Sequence, residues 1–208
     1  MPSAPPGVST RDRLIDAAAE LFYAGGVTAT GVDAVVARSG VSKPTLYRHF
    51  GSKPALVAAV LEDRHLRRRR AVIEYVEGHA SAPRERLLAV FDWLGGWHAD
   101  EGRRGCAFLN AAAEIAVPDD PAREVIARHK RWMRDYLAEL AVEAGLVDPD
   151  ALAYELLLLV DGANARVLAE GDLGAAAHAR RVAELLIAHA EPPAPDDVSR
   201  AEPEAGDR

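Results

Sequence analysis

The sequence predicts an all-α fold of about nine helices, with a three-helix, helix-turn-helix head at the N-terminus and a larger helical body behind it. Three observations carry that prediction. Ala is abundant while Thr, Ile and aromatic residues are sparse, a composition that favours helix because Ala, Leu, Arg and Glu lose little side-chain freedom there. Apolar residues recur three and four positions apart, and no segment alternates as a strand would. Pro and Gly fall where helices begin and end.

Residues 1–9 are rich in Pro, Gly and Ser and are expected to be a disordered tail. Over residues 10–23, Leu14, Ala18, Leu21 and Phe22 share one face, and Gly25-Gly26 ends the helix. Thr10 is the candidate N-cap, with Arg13 standing where a capping-box Glu would sit. The second helix covers 32–38, with Val32, Val35 and Val36 on one side, and Ser39-Gly40-Val41 breaks it. Ser42 caps the third helix, which takes Pro44 into its first turn, where a missing amide hydrogen costs little. That helix ends near Phe50-Gly51. Ser52 then caps a fourth carrying Leu56, Val57, Val60 and Leu61.

Further helices are expected over 83–97, 105–116, 121–144, 150–170 and 173–189, punctuated by Pro118 and Gly145. Residues 191–208 hold Pro, Asp and Glu with almost no apolar content, a second expected disordered tail. The chain thus divides into a helix-turn-helix head at 10–55 and a body at 56–190.

A net charge of −7 argues against a nucleic-acid partner until its distribution is considered. Residues 1–75 hold 11 Lys/Arg against 7 Asp/Glu, and the rest of the chain 14 against 25. A basic pole on an acidic body attracts phosphate at one end. The single cysteine, Cys106, excludes an intramolecular disulfide and fits a reducing compartment. No apolar run approaches the roughly 20 residues that span a bilayer, and the first residues lack the basic and apolar regions of an export signal. A cytoplasmic protein without a membrane partner is expected.

Val36, Val41, Leu46 and Phe50 supply a small core between the second and third helices, and Gly40 suits a turn that needs positive φ. The outward face of the third helix is then Lys43, Thr45, Arg48 and His49, with Pro44 and Tyr47 beside them. Such groups suit a major groove: Thr and Pro touch thymine methyls, while Lys and Arg reach guanine edges or phosphates.

Residues 10–62 resemble the TetR (tetracycline repressor) family of transcriptional regulators. The resemblance is carried by Ala18-Ala19-Glu20-Leu21-Phe22, by Gly26 and Thr30, by the unbroken run from Gly40 to Phe50, and by Ser52-Lys53 before Leu56. It implies that Thr45 and its neighbours Ser42, Lys43, Pro44 and Arg48 face bases, while Thr30, Tyr47, His49 and Lys53 hold phosphates. Gly31 stands where the family often has Thr, and Val36 where it often has Ala. Read without the family, Lys43, Arg48 and Lys53 would be a solvated face and Tyr47 a core aromatic with a wet hydroxyl. Arg67 to Arg70 occupy successive positions and so point all round their helix, which suits solvation or inter-helix ion pairs better than DNA.

The same resemblance implies a body that senses a small-molecule effector and forms a homodimer. Leu152, Leu156, Leu159, Val160, Ala163 and Val167 on the eighth helix, with Val182, Leu185 and Leu186 on the ninth, are the candidate dimer face. An internal core is the alternative. Trp93, Trp97, Cys106, Phe108, Asn110, Glu114, Trp132 and Tyr136 are the candidate effector pocket, with plain core packing as the alternative.

Catalysis has little support. Glu62 and His65 make one Glu-x-x-His, and a di-iron bundle needs two. Cys106 has no His nearby in sequence, and no phosphate loop or nucleophile elbow appears. Neither metal nor cofactor is expected. The reading is a transcriptional repressor on pseudo-palindromic double-stranded operator DNA, the alternative a ligand-binding helical dimer without operator binding.

Overall fold

The N-terminal helix α1 (Thr10–Gly25) is capped by Ser9, whose hydroxyl accepts from the Asp12 amide at 3.1 Å. The cap expected at Thr10 is thereby corrected: Ser9 has the extended backbone a cap requires, and Thr10 is already helical. In the computed structural model, which describes residues 9–192, eight more helices follow. These are α2 (Val32–Ser39), α3 (Lys43–Phe50), α4 (Lys53–His79), α5 (Pro83–Asp100), α6 (Ala107–Glu114), α7 (Pro121–Glu143), α8 (Pro149–Glu170) and α9 (Ala175–His189). No strand occurs among the described residues. The expected terminal tails lie outside them, apart from Ser9, Glu191 and Pro192.

Two helices begin later than expected. Gly105 has φ 63, and a Cβ there would lie 2.4 Å from the Asn164 carbonyl oxygen, so the chain turns before α6 starts at Ala107. Asp172 takes the Gly174 amide onto its side chain at 2.9 Å, which holds Leu173 in a turn ahead of α9.

The buried apolar side chains form two clusters. One joins α1, α2, α3 and the first half of α4 (Leu56, Val57, Val60, Leu61) to Phe108, Ala111, Ile115, Ala122, Val125 and Ile126 of α6, α7 and their link. The other joins Val72 and Val76 of α4 to α5, the later part of α7, α8 and α9. Packing therefore changes hands midway along α4, and apolar contact runs across the expected division at 55/56. At 1.5 Å per residue α4 is about 40 Å long, a rod shared by both cores.

The candidate dimer face needs correction. Leu152, Leu156, Val160 and Ala163 are buried within the subunit, packed on α7 and α9 as core, and Val167 is buried as well. Leu159 and Leu186 are half-buried. The opposite side of α8 leaves Tyr154 57%, Leu158 55% and Leu168 47% exposed, and α9 leaves Val182 and Leu185 exposed beside it. Of the named residues, only Val182 and Leu185 stand fully on the free face.

Candidate nucleic-acid interface

The helix-turn-helix is built from its turn outward. Gly40 adopts φ 66 at the end of α2, where its amide reaches the Val36 carbonyl. Arg13 clamps the turn by donating to the Ser39 carbonyl at 2.7 Å. Ser39 donates to the Val36 carbonyl and accepts from the Val41 amide. Val35 and Leu46 are wholly buried and Val41 nearly so, while Val36 and Phe50 are half-buried. The inner valine of α2 is therefore Val35 rather than Val36.

With Leu46 locked inward, α3 exposes Lys43, Pro44, Tyr47, Arg48 and His49, with Thr45 half-buried beside them. The exposed Ser42 caps the helix, accepting from the Thr45 amide, and its hydroxyl lies 2.9 Å from that of Thr45. Lys43 pairs with Asp33 of α2 at 2.8 Å, and the Asp33 carboxylate raises its pKa. A base contact by Lys43 would have to exchange that ion pair. Arg48 has no ion pair among the described residues. Lys53 donates to the Thr28 carbonyl at 3.3 Å, which holds the amino terminus of α4 beside the loop that follows α1.

Thr30 does not have the role expected of it. Its side chain is buried, and the hydroxyl donates to the Gly26 carbonyl at 2.7 Å, closing the end of α1. Its hydroxyl therefore supports the head from inside rather than meeting a phosphate. Gly31 caps α2 with an extended backbone and no side-chain hydrogen bond.

The eight effector-pocket candidates do not share one cavity. Trp93 and Trp97 line a groove with α1 and α4. Trp132 and Tyr136 line another, formed by α4, α5 and α7. Phe108 is buried and stacks on His129, ring centroids 3.7 Å apart. Cys106 is buried in a shallow cleft against Asn164 and Leu168. Asn110 donates to the Arg104 carbonyl, and Glu114 accepts from the Thr28 amide at 2.7 Å. These last two belong to a junction between head and body. In the same junction the Tyr23 hydroxyl donates to the Gly105 carbonyl and accepts from the Arg104 amide, both at 3.0 Å. Arg104 reaches back to the Ala24 carbonyl.

Three histidines are buried in the body: His65, weighed above only as part of a Glu-x-x-His pair, and His98 and His129, which the sequence did not single out. His65 and His129 share an Nδ1 contact of 3.1 Å, and His98 meets Asn164 at 3.2 Å. Burial lowers all three pKa values, that of His129 to about 2. No group of three or more His, Cys, Asp or Glu suited to a metal ion occurs among the described residues. Nor is any helix there long and apolar enough to cross a membrane. Of the Arg67–Arg70 run, Arg67 makes the expected inter-helix pair, with Asp16, while Arg68 lies over Trp93 and Trp97.

Residues 14–60 match the family described as bacterial regulatory proteins, tetR family, and residues 83–183 match the tetracyclin repressor-like C-terminal domain. The HTH-type transcriptional activator FasR of Mycolicibacterium smegmatis is 38% identical over 98 residues, 45% of this chain and only 43% of FasR. The HTH-type transcriptional repressor DhaR of Mycobacterium sp. is 25% identical over 171 residues, 77% of this chain and 83% of that protein. Among solved structures, SCO4454, a TetR-family regulator of Streptomyces coelicolor, superposes with a TM-score of 0.80 at 31% identity, covering 87% of this chain and 95% of the other. The regulatory protein TetR of Rhodobacter sphaeroides gives 0.75 at 26% identity, over 86% and 98%. With the head and the body both matched, the chain belongs to the TetR family of DNA-binding transcriptional regulators.

Proposed function

We propose that the chain is a homodimeric repressor whose grip on a pseudo-palindromic operator is set by a small-molecule effector. The observation that carries the reading is the exposed side of α3. Lys43, Pro44, Tyr47, Arg48 and His49 face outward from a helix whose Leu46 is wholly buried, so the reading surface is held rigidly by the fold. Thr45 and Arg48 are the base-facing candidates. Tyr47, His49 and Lys53 stand where phosphate would pass.

Pairing is assigned to the apolar strip of Tyr154, Leu158 and Leu168 on α8 with Val182 and Leu185 on α9, because a monomer gains nothing from leaving it in water. Two subunits joined there present two α3 helices to one face of the duplex, about 34 Å or one DNA turn apart, or a multiple of that. A dimer seated across a promoter excludes other proteins from it, which is repression. FasR is named an activator and DhaR a repressor.

The effector acts by binding one head spacing better than another, and operator affinity falls by that difference in binding free energy. The experiment is selection of genomic fragments by the purified protein, followed by gel shift on the enriched sequence. Retention of one inverted repeat, lost on adding Tyr47→Ala to Lys53→Ala, is the expected result. Equal, weak retention of every duplex at moderate salt would overturn the reading.

A further inference from the structure

We infer that the groove between α1, α4 and α5 binds a small aromatic carboxylate, held by Arg64 and Arg68. The groove has a volume of about 470 Å³, within the range of small-molecule sites. Its walls are Asp16 and Ala19 of α1, Asp63, Arg64, Arg67, Arg68 and Ala71 of α4, and Trp93 and Trp97 of α5, with Glu101 at the rim, so that three arginines meet three carboxylates. The flat body of the ligand lies against the parts of the Trp93 and Trp97 indoles that line the groove and that Arg68 leaves uncovered. Those rings lie 5° from parallel with centroids 6.0 Å apart.

The charges in this groove do not cancel locally. Arg67 is taken by Asp16 at 3.0 Å and Asp63 at 2.8 Å. Arg64 and Arg68 make neither an ion pair nor a hydrogen bond among the described residues, although both are half-buried. Each is held instead by an aromatic face: the Arg68 guanidinium carbon is 3.6 Å from the Trp97 centroid and 4.9 Å from that of Trp93, and that of Arg64 is 4.8 Å from that of Tyr23. Stacking steadies a guanidinium but uses none of its in-plane N–H donors.

Burial lowers the pKa of both arginines, that of Arg68 to about 10, with a smaller push in the same direction from the Arg67 charge on Arg64 and from the Arg64 charge on Arg68. Glu101 favours both charges from a distance and is itself exposed, too far to pair with either. Two forked, uncompensated cations side by side match the two oxygens of a carboxylate, which accepts parallel N–H bonds in a low-dielectric setting.

The site deepens the effector reading and rests on it for its regulatory half only. Because α1 belongs to the DNA-binding head while α5 belongs to the body, a ligand here touches both. Calorimetric titration with 2-naphthoate, with neutral 2-naphthamide as comparison, tests the binding half. Naphthoate is expected to bind once per subunit, and naphthamide at least about tenfold more weakly, the loss of one charge-assisted pair. Arg64→Gln and Arg68→Gln are each expected to lose at least about tenfold, with Arg69→Gln unchanged.

The two glutamine variants should keep the wild-type circular dichroism and melt no lower, since each removes a half-buried charge that has no counter-ion. No heat with naphthoate up to about 1 mM overturns the site. So does equal binding of the amide, or wild-type affinity in both glutamine variants. If naphthoate binds as described and a saturating amount leaves operator gel shift unmoved, the site stands and the effector reading of it fails.

Discussion

Removing the Glu114 carboxylate should loosen the end of α1, and pairing that change with one at Gly26 isolates the cause. The carboxylate accepts from the Thr28 amide at 2.7 Å, and an oxygen of the same group lies 2.9 Å from where a Cβ on Gly26 would stand. A hydrogen bond to a charged group contributes about 1.5–3 kcal/mol. Thr28 is exposed and Glu114 half-buried, so solvent screening brings the cost of Glu114→Ala to about 1–2 kcal/mol. For a chain of this size that lowers Tm by roughly 2–8 °C at fixed subunit concentration.

Gly26→Ala should cost more, for two reasons. Its φ of 89 is open to glycine and strained for alanine, about 1–3 kcal/mol, and the new methyl also pushes the carboxylate off the Thr28 amide. In a Glu114→Ala background only the first cost remains, because no carboxylate is left to displace. The double variant should therefore be about 1–2 kcal/mol more stable than the sum of the single losses predicts. Urea unfolding gives the energies, and hydrogen exchange at the Thr28 amide gives the location. Strict additivity, or an unchanged Thr28 exchange rate in Glu114→Ala, refutes the reasoning.

Other perturbations read other parts of the molecule. Leu158→Glu or Leu185→Glu places a charge on the exposed apolar strip without touching the subunit core; light scattering should report monomers, and operator affinity should fall about a hundredfold or more as bivalent seating is lost. Lys53→Ala should weaken binding to all duplexes and reduce the salt slope by about 1, whereas Thr45→Ala should change which bases are preferred by about 1–3 kcal/mol. His129 is buried with its pKa pushed down to about 2, chiefly by burial, against about 6.5 in the unfolded chain. A folded-state pKa below the unfolded one means that protons favour the unfolded chain. Stability is therefore intact above pH 6.5 and falls by about 1.4 kcal/mol per pH unit below it for this residue. Urea midpoints between about pH 7.5 and 5 should show at least that slope, since His65 and His98 are lowered too, and His129→Phe should reduce it by about 1.4 kcal/mol per pH unit.

The head was legible because its signals are local. Ser42, Pro44, Gly40 and Gly51 are punctuation within a few residues of what they control, and the exposed face of α3 follows from the inward packing of Leu46 and Phe50. The body was legible only as helices. On α8 both faces are apolar, so periodicity alone cannot tell the face packed on α7 and α9 from the one left bare; Tyr154 and Leu158 lie about one helical turn apart on the bare side, opposite Leu152 and Leu156. The aromatic residues misled for a related reason. Trp93, Trp97, Trp132 and Tyr136 have the bulk and character of a pocket lining, but which groove each enters depends on inter-helix angles that no short window encodes. Thr30 failed differently: a hydroxyl suits a phosphate and a helix end equally well, and here the helix end took it. The unpaired state of Arg64 and Arg68 had no signal at all in a run of basic residues, since it depends on where Asp16 and Asp63 come to lie.

The two cores sharing α4 limit how a body-bound ligand can alter DNA binding. Leu56 to Leu61 are fixed in the head core and Val72 and Val76 in the body core, so the head cannot shift without tilting this rod or bending it between them. A tilt of about 5° over a helix about 40 Å long moves its far end by about 3.5 Å. In a symmetric dimer the two heads move oppositely, so their separation changes by about 7 Å, roughly two base-pair steps against a groove spacing of about 34 Å. That is enough to take one α3 out of register. The motion must carry α1 with it, because Glu114, Arg104 and Tyr23 tie α1 to α6 and its preceding turn while Arg67 ties it to α4. A ligand lodged between α1, α4 and α5 meets the rod at Arg64 and Arg68, between its two anchored stretches, where a small displacement has the longest lever.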